Sequence, residues 1–330
     1  MQNASFITLG DVTNDAFIKL QEASVHCDIS TEQCTISMRW GDKIPYEDVV
    51  VVPAVGNSAN AAVSAARLGL PTAFISFVGD DRNGKECIAV LQDENIDTQY
   101  ITEEPGKKTN YHYVLSYEAE RTILVRHEHF TYSLPNIPDS TEWLYCSSVG
   151  EAAKTLHDEV VQWIKQHPET KLVFQPGTFQ MQLGYDYLKD LYAHTHLFIC
   201  NKQEAQRILK TEETNIKTLL QDMHSKGPTI AIITDGPNGA YAYNGDTTYF
   251  VPQYPDIAPP KERTGAGDAF SSTLAAFLAK GLPLKEALLR APINSMSVVQ
   301  HIGAQKGLLT EKDIEHYLQK APESYTVATV

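Results

Sequence analysis

The sequence predicts an α/β fold: a doubly wound, mostly parallel sheet flanked by helices, with a small β-sheet attached. Three observations carry this expectation. From Trp143 onward, apolar strand-like runs at 143–149, 171–175 and 196–200 alternate with helical patterns at 151–166, about 181–192 and 202–210. Such alternation marks βαβ units and a parallel sheet. Strand-like segments with period-two patterning interrupt the first half of the chain, which places a second, smaller sheet there. Neither an internal repeat nor a low-complexity linker divides residues 1–330, so one main domain is expected.

Bulk properties narrow the function classes. The 330 residues are 42% hydrophobic and 21% charged, with a formal net charge of -14. An acidic chain argues against nucleic acid as a partner, because polyanion binders carry a basic footprint. A nucleotide stays open, since helix N-termini and Mg²⁺ offset phosphate charge locally. Met1 to Leu20 has neither a basic start nor a long apolar run, and no stretch reaches the ~20 apolar residues of a membrane span. No membrane partner and a cytoplasmic location are therefore expected. The five cysteines (Cys27, Cys34, Cys87, Cys146, Cys200) show no C-x-x-C spacing and read as reduced thiols, mostly in the core.

Taken in order, Ser5 to Leu9 is a short apolar strand ending in Gly10-Asp11. Ligands of open α/β sheets bind at such strand ends, so Asp15 lies either near a site or in a solvated loop. Residues 33–39 alternate Cys34, Ile36, Met38 against Thr35, Ser37, Arg39, the pattern of a half-buried strand. Asn110 to Tyr117 and Arg121 to His127, joined by Glu118-Ala119-Glu120, read as a hairpin. Pro53 to Gly69 is a small-residue helical stretch with Gly69 at its end; Asn60 within it needs a partner if buried. Gly79 to Glu86 nearly fits a P-loop, but Glu86 replaces the Mg²⁺-binding hydroxyl and Asp80-Asp81 would repel phosphates. His127-Glu128-His129 has no clear third metal ligand and reads as a solvated strand end.

Asn201 and Glu204 follow the strand that ends at Cys200 and share a face at a helix start, where a capping box is the simplest reading. Thr229 to Thr234 is a buried strand leading into the turn Asp235-Gly236-Pro237-Asn238-Gly239-Ala240, and Thr247 to Val251 is another strand. Arg263-Thr264-Gly265-Ala266-Gly267-Asp268-Ala269-Phe270 then opens a helix with apolar residues at Phe270, Leu274, Phe277 and Leu278. A glycine loop at a helix N-terminus is an anion site, because the first amides lack internal partners and the dipole is positive there. A carboxylate in that first turn suits acceptance of a proton from a hydroxyl attacking a bound phosphate. The third glycine of a dinucleotide fingerprint is missing: Phe270 stands in its place.

The segment Thr264 to Phe270 resembles the C-terminal signature of the ribokinase-like (PfkB-type) carbohydrate kinases. Gly56, Asn60 and Leu68-Gly69 resemble the N-terminal signature, with Val55 in place of its first glycine. Val78, Gly79, Asp81 and Gly84 match a structural connection of that family, and Gly303-Ala304 its closing pair. The resemblance implies a ribokinase-like fold with a lid sheet, its strands from about 16–50 and 107–130 and its surface available for a homodimer. It implies ATP and Mg²⁺, with a monovalent cation in some cases, and a small sugar as acceptor. Asp268 would be the catalytic base, with Gly265, Ala266 and Gly267 as the anion hole. Asp15, Gly56 and Asn60 would hold the acceptor; Asn201, Thr234, Gly236 and Gly239 would border the nucleotide and its phosphates, and Glu204 would act through Mg²⁺. Arg263, standing with Glu262 where the family favours Asp-Thr, either reaches the transferring phosphate or is a surface residue. Gln175-Pro176-Gly177 replaces the usual Asp-Pro-Asn. A free sugar is the first expectation for the acceptor. A nucleoside, its base held by Tyr111, Tyr113 and Tyr117, is the second, and a non-catalytic binding or regulatory protein on this fold is the third. Arg39, Lys107, Lys108, Arg121 and Arg126 are the cations available for a phosphorylated sugar.

Overall fold

The computed structural model describes residues 4–28, 33–117 and 120–330. In chain order the elements are β1 (Phe6–Leu9), β2 (Thr13–Leu20), β3 (Ser24–Asp28), β4 (Gln33–Ser37), β5 (Tyr46–Val55), α1 (Asn57–Arg67), β6 (Thr72–Gly79), α2 (Arg82–Asp93) and β7 (Ile101–Glu104). There follow β8 (Asn110–Tyr117), β9 (Glu120–Leu124), β10 (Trp143–Cys146), α3 (Lys154–Gln166), β11 (Lys171–Phe174), α4 (Thr178–Ala193), β12 (Thr195–Asn201), α5 (Lys202–Leu209) and α6 (Ile216–His224). The chain closes with β13 (Ile230–Thr234), β14 (Ala240–Tyr243), β15 (Thr248–Val251), α7 (Ala266–Ala279), α8 (Leu284–Val298), α9 (Glu311–Gln319) and β16 (Ala328–Thr329).

A ten-stranded sheet runs β16-β15-β14-β13-β12-β11-β10-β1-β6-β7. Every neighbouring pair from β13 to β7 is parallel, while β14, β15 and β16 add an antiparallel edge. Side chains alternate along each strand, so each strand feeds two layers. Leu9, Leu144, Cys146, Phe174 and Phe198 pack on one face with α3 to α6. Phe6, Tyr145, Val173, Leu197 and Ile199 pack on the other with α1, α7, α8 and α9. The register Leu9↔Cys146↔Phe174↔Phe198 brings the carboxyl ends of β1, β10, β11 and β12 to one edge. That edge is where open parallel sheets bind ligands.

The smaller sheet differs from expectation. It is β5-β2-β8-β9, so its first two strands are 13–20 and 46–55, and Asp15 sits within β2 rather than in a loop. The alternating stretch at 33–39 joins a separate two-stranded ribbon, β3-β4, whose residues of described burial are exposed on both faces apart from the half-buried Ile36. Alternation records the pleat but cannot say whether anything covers it. The pairing Cys27↔Cys34 across this ribbon carries a disulfide, which corrects the expectation of five free thiols. Directly opposed positions in an antiparallel pair bring Cβ atoms together, and a count of cysteines does not show that. Cys87, Cys146 and Cys200 are free and buried, and burial pushes the first two thiols up to about 12. The turn at Glu118 and Ala119 lies outside the described residues.

One polar contact ties the helical layer to the site. Arg67, at the end of α1, donates twice to Glu94, at 2.9 and 2.5 Å, and to the carbonyls of Gln305 and Leu308 at 2.8 and 2.9 Å. Replacing it leaves the Leu308 carbonyl and a half-buried carboxylate without donors, while the Gln305 carbonyl keeps only the Leu308 N–H at 3.0 Å. Arg67→Ala is expected to lower unfolding free energy by about 1–3 kcal/mol, the cost of stranding such groups. Chemical denaturation checks this; an unchanged midpoint would show that the 305–308 segment is held elsewhere.

Candidate active site

The N-terminus of α7 is built by Gly265, its cap, at φ 81°. A Cβ there would lie 2.3 Å from Cβ of Ala304. Both the left-handed backbone and the contact therefore require glycine. At Gly267 a Cβ would meet nothing within 4 Å, so this part of the turn faces open space. Ala269 N–H reaches the Gly265 carbonyl at 2.8 Å and Ala266 N–H reaches Arg263 at a long 3.4 Å. Among the described residues the Gly267 and Asp268 amides have no recorded backbone acceptor, which leaves them for a ligand.

Asp268 occupies the first turn. Asn60 Nδ2 donates to its Oδ2 at 2.8 Å and Gln175 Nε2 donates to its Oδ1 at 3.0 Å. Both amides are themselves oriented. Asn60 Oδ1 accepts from Gln305 Nε2 at 3.0 Å, and the same nitrogen donates to the Ala54 carbonyl at 2.7 Å. Gln175 Oε1 accepts the hydroxyl of the fully buried Tyr145. Burial raises the Asp268 carboxyl above the usual carboxylate range, while the two amide donors pull it back. The result is an oriented carboxylate whose basicity is increased by its surroundings.

Beside the loop lies a cavity of about 440 Å³ lined by Thr234, Gly236, Gly239, Arg263, Ala266 and Gly267, together with residues of α8. Five residues expected at the nucleotide or the anion hole thus meet here with Arg263, whose side chain is exposed at the rim. Asn201 and Glu204 form a capping box at α5: Glu204 N–H reaches Asn201 Oδ1 at 2.9 Å and Asn201 N–H reaches Glu204 Oε2 at 2.8 Å. Burial raises the Glu204 carboxyl, Asn201 N–H opposes this, and the charge of Asp268 adds to it. A cation between these two acids would relieve that repulsion, so the residues fit Mg²⁺ held mainly by phosphate. Among the described residues no group of three or more His, Cys, Asp or Glu forms a metal site.

Gly56 caps α1 at φ 121°, and a Cβ there would lie 2.7 Å from the Asp11 carbonyl. Asp15 Oδ1 is 3.3 Å from Nδ1 of His112, its cross-strand partner on β8. His127 is not a solvated strand end: its Nδ1 lies 3.3 Å from Asp11 Oδ2, and its ring packs 5.2 Å from that of Phe179. Directly paired residues share a face, so His112 faces with Asp15 while Tyr111, Tyr113 and Tyr117 project from the opposite side of β8. Sequence reasoning missed Gln175 as a partner of Asp268, and missed Tyr145, Gln305, Asp11 and His112. The available signal for three of them was position: Asp11 and Gln175 follow strands at the ligand-binding edge, and His112 alternates along a lid strand.

A glycine-bounded helix N-terminus beside an oriented carboxylate, at the edge of a parallel sheet, suits phosphoryl transfer to a hydroxyl. Comparison with known proteins gives the group: the pfkB family carbohydrate kinase profile matches residues 25–311, and the chain belongs to that family. It is 26% identical over 268 residues to the ribokinase of Bacillus subtilis, covering 80% of this chain and 87% of the relative. The fructokinase of Vibrio alginolyticus is 23% identical over 255 residues, with 72% of this chain and 81% of that protein covered. Among solved structures, Arabidopsis thaliana ribokinase complexed with ribose and ATP superposes with a TM-score of 0.80 at 18% identity, covering 96% of this chain and 99% of the other. A Methanocaldococcus jannaschii nucleoside kinase gives 0.79 at 19% identity, with the same coverage. These two likenesses establish the ribokinase fold, with its mostly parallel central sheet and small antiparallel sheet.

The amide pair makes a direct prediction about Asp268. Gln175→Leu removes one donor to its carboxylate and so removes stabilisation of the charged form. The Asp268 titration, followed by carbon NMR of the carboxyl group, is expected to move to higher pH than in the wild type. A titration that stays put or moves down would mean that Gln175 does not tune this group.

Proposed function

We propose that the protein is an ATP- and Mg²⁺-dependent phosphotransferase that moves the γ-phosphoryl group to a hydroxyl of a free, unphosphorylated sugar. The observation that carries this reading is the Asp268 carboxylate, held by two amides in the first turn of a helix whose leading N–H groups are open. The acceptor hydroxyl gives its proton to Asp268 as its oxygen bonds to the γ-phosphorus and the bond to the β-phosphate oxygen breaks. ADP departs with the electron pair of that bond. The amides of Gly265, Ala266 and Gly267 stabilise charge on the transferring group. The donor occupies the cavity bounded by Thr234, Gly236 and Gly239, with Arg263 at its rim; Asn201 does not line that cavity, and its phosphate role rests on its position at the start of α5. Bound Mg²⁺ would neutralise the donor phosphates, with Glu204 acting on it beside Asp268.

The charge arrangement of the lid favours a free sugar over a phosphorylated one. Arg39 pairs with Glu22 and Asp42, each at 3.2 Å. Lys107 lies 4.0 Å from both Glu104 and Glu128, Arg126 lies 3.5 Å from Glu128, and Arg121 lies 3.7 Å from Glu262. Four of the five expected phosphate-binding cations are thus already paired. The nucleoside reading loses its aromatic wall, because Tyr111, Tyr113 and Tyr117 project from the side of β8 away from Asp15. The outer lid face exposes Val51, Tyr113 and Leu124 at 51%, 47% and 52%, in one row across the sheet through Ala16. That row suits a second copy of the chain, so a homodimer through the lid is part of the proposal.

Asp268→Ala is expected to lower kcat by roughly 10²–10⁴-fold, the scale of a general base, with circular dichroism unchanged. ADP release with ATP, Mg²⁺ and a panel of free sugars, sugar phosphates and nucleosides is the measurement. Near-normal turnover by the variant would remove Asp268 from its role.

A further inference from the structure

We infer that His112 and His127, together with Asp15 and Asp11, form a wall that reads the hydroxyls of a neutral polyol acceptor and rejects a phosphorylated one. This deepens the proposed function and rests on it for the location of the acceptor. The four side chains come from separate parts of the chain: Asp11 follows β1, Asp15 lies on β2, His112 on β8, and His127 lies after β9. They nevertheless converge. Asp15 Oδ1 lies 3.3 Å from His112 Nδ1, Asp11 Oδ2 lies 3.3 Å from His127 Nδ1, and the two imidazoles are 5.2 Å apart, centre to centre. Their side chains are only 6–19% exposed.

The hydrogen bonding of this cluster is incomplete. Tyr132 donates its hydroxyl to Asp11, 3.1 Å from each carboxylate oxygen. Asp15 Oδ1 and His127 Nδ1 are buried with only these 3.3 Å contacts and no hydrogen bond of good geometry, and buried His112 Nε2 has no hydrogen-bond partner. Three such atoms in one cluster are unusual, because buried polar groups are nearly always satisfied. The set contains acceptors and imidazole nitrogens able to donate or accept, which complements hydroxyls, themselves both donors and acceptors.

The wall also lies beside the proposed reaction centre. Phe179, whose ring meets His127, is four residues beyond Gln175, a donor to Asp268. Asp11 abuts Gly56, the cap of the helix that carries Asn60, the other donor to Asp268. The two carboxylates repel a second phosphate, and Arg121, a cation of the same sheet, is engaged by Glu262. His112 and His127 are therefore specificity-determining residues, and their loss falls on acceptor affinity rather than on the chemical step.

The test compares wild type with His112→Phe and His127→Phe, which keep an aromatic ring, and with His112→Gln and His127→Asn, which restore a polar amide. Ribose, fructose, adenosine and fructose 6-phosphate are titrated calorimetrically without nucleotide, and acceptor KM, kcat and ATP KM are measured alongside. A neutral probe should bind the wild type, and each Phe substitution should weaken it about tenfold, the scale of one lost hydrogen-bonded group. The Gln and Asn variants should recover part of the loss, with ATP KM unchanged. Equal acceptor affinity in wild type and both Phe variants overturns the wall, as does tighter binding of fructose 6-phosphate than of every neutral probe, or no binding of any neutral probe. If ADP release proceeds with unchanged affinities, the wall fails and the kinase reading stands. If binding depends on the histidines but no ADP forms, the wall stands and the free-sugar kinase reading fails.

Discussion

A carboxylate placed against an anion-binding helix terminus is a problem the rest of the structure has to solve. Asp268 sits within the turn that would receive phosphate, partly buried and near another acid, Glu204. Two amide donors keep it usable. Asn60 and Gln175 hold one oxygen each, and each amide is fixed from behind, by Gln305 and by Tyr145. An amide so anchored cannot rotate to present its oxygen to the carboxylate, so the carboxylate is oriented as well as stabilised. The pKa outcome is a compromise: burial raises it and the donors limit the rise. That is the condition in which a carboxylate is a better proton acceptor than a solvated one.

The fold supplies these partners from distant parts of the chain. Asn60 stands on α1, Gln175 follows β11, Tyr145 lies on β10, and Gln305 follows α8. The parallel register aligns the strand ends, so residues just past β1 and β11 arrive at one edge, with α1 and α7 packed above it. The smaller sheet meets this edge: Arg121 approaches Glu262, and a Cβ on Gly303 would meet Val52. Its inner face contributes Asp15 and His112, while its outer face is apolar and exposed. On the proposed reading, one strand pleat divides acceptor recognition from the surface offered to a second copy.

Much of this was legible in the sequence, and for identifiable reasons. The strand-helix alternation after Trp143 is local, and the structure reproduces it with boundaries moved by a few residues. The glycine loop is also local: Gly265 is a left-handed helix cap, a requirement written in consecutive residues. What stayed hidden depends on long-range pairing. The bonds from Asn60 and Gln175 to Asp268 span 208 and 93 residues, and Gln305 to Asn60 spans 245. The alternation at 33–39 is real, but its ribbon is uncovered and holds a disulfide. The lid tyrosines were grouped by composition, although the pleat sends them away from Asp15. Gln175, which departs from the family pattern, turned out to contact Asp268 directly.

Transfer of a phosphoryl group to a sugar hydroxyl is what the proposed site is built to do. Phosphorus NMR of the protein incubated with ATP, Mg²⁺ and a free sugar tests it most directly, because it follows the transferred atom itself. The γ-phosphate resonance should disappear as a sugar phosphomonoester signal and the two ADP signals grow in equal amounts. Growth of inorganic phosphate alone, or an unchanged ATP spectrum across the free sugars, would contradict the account.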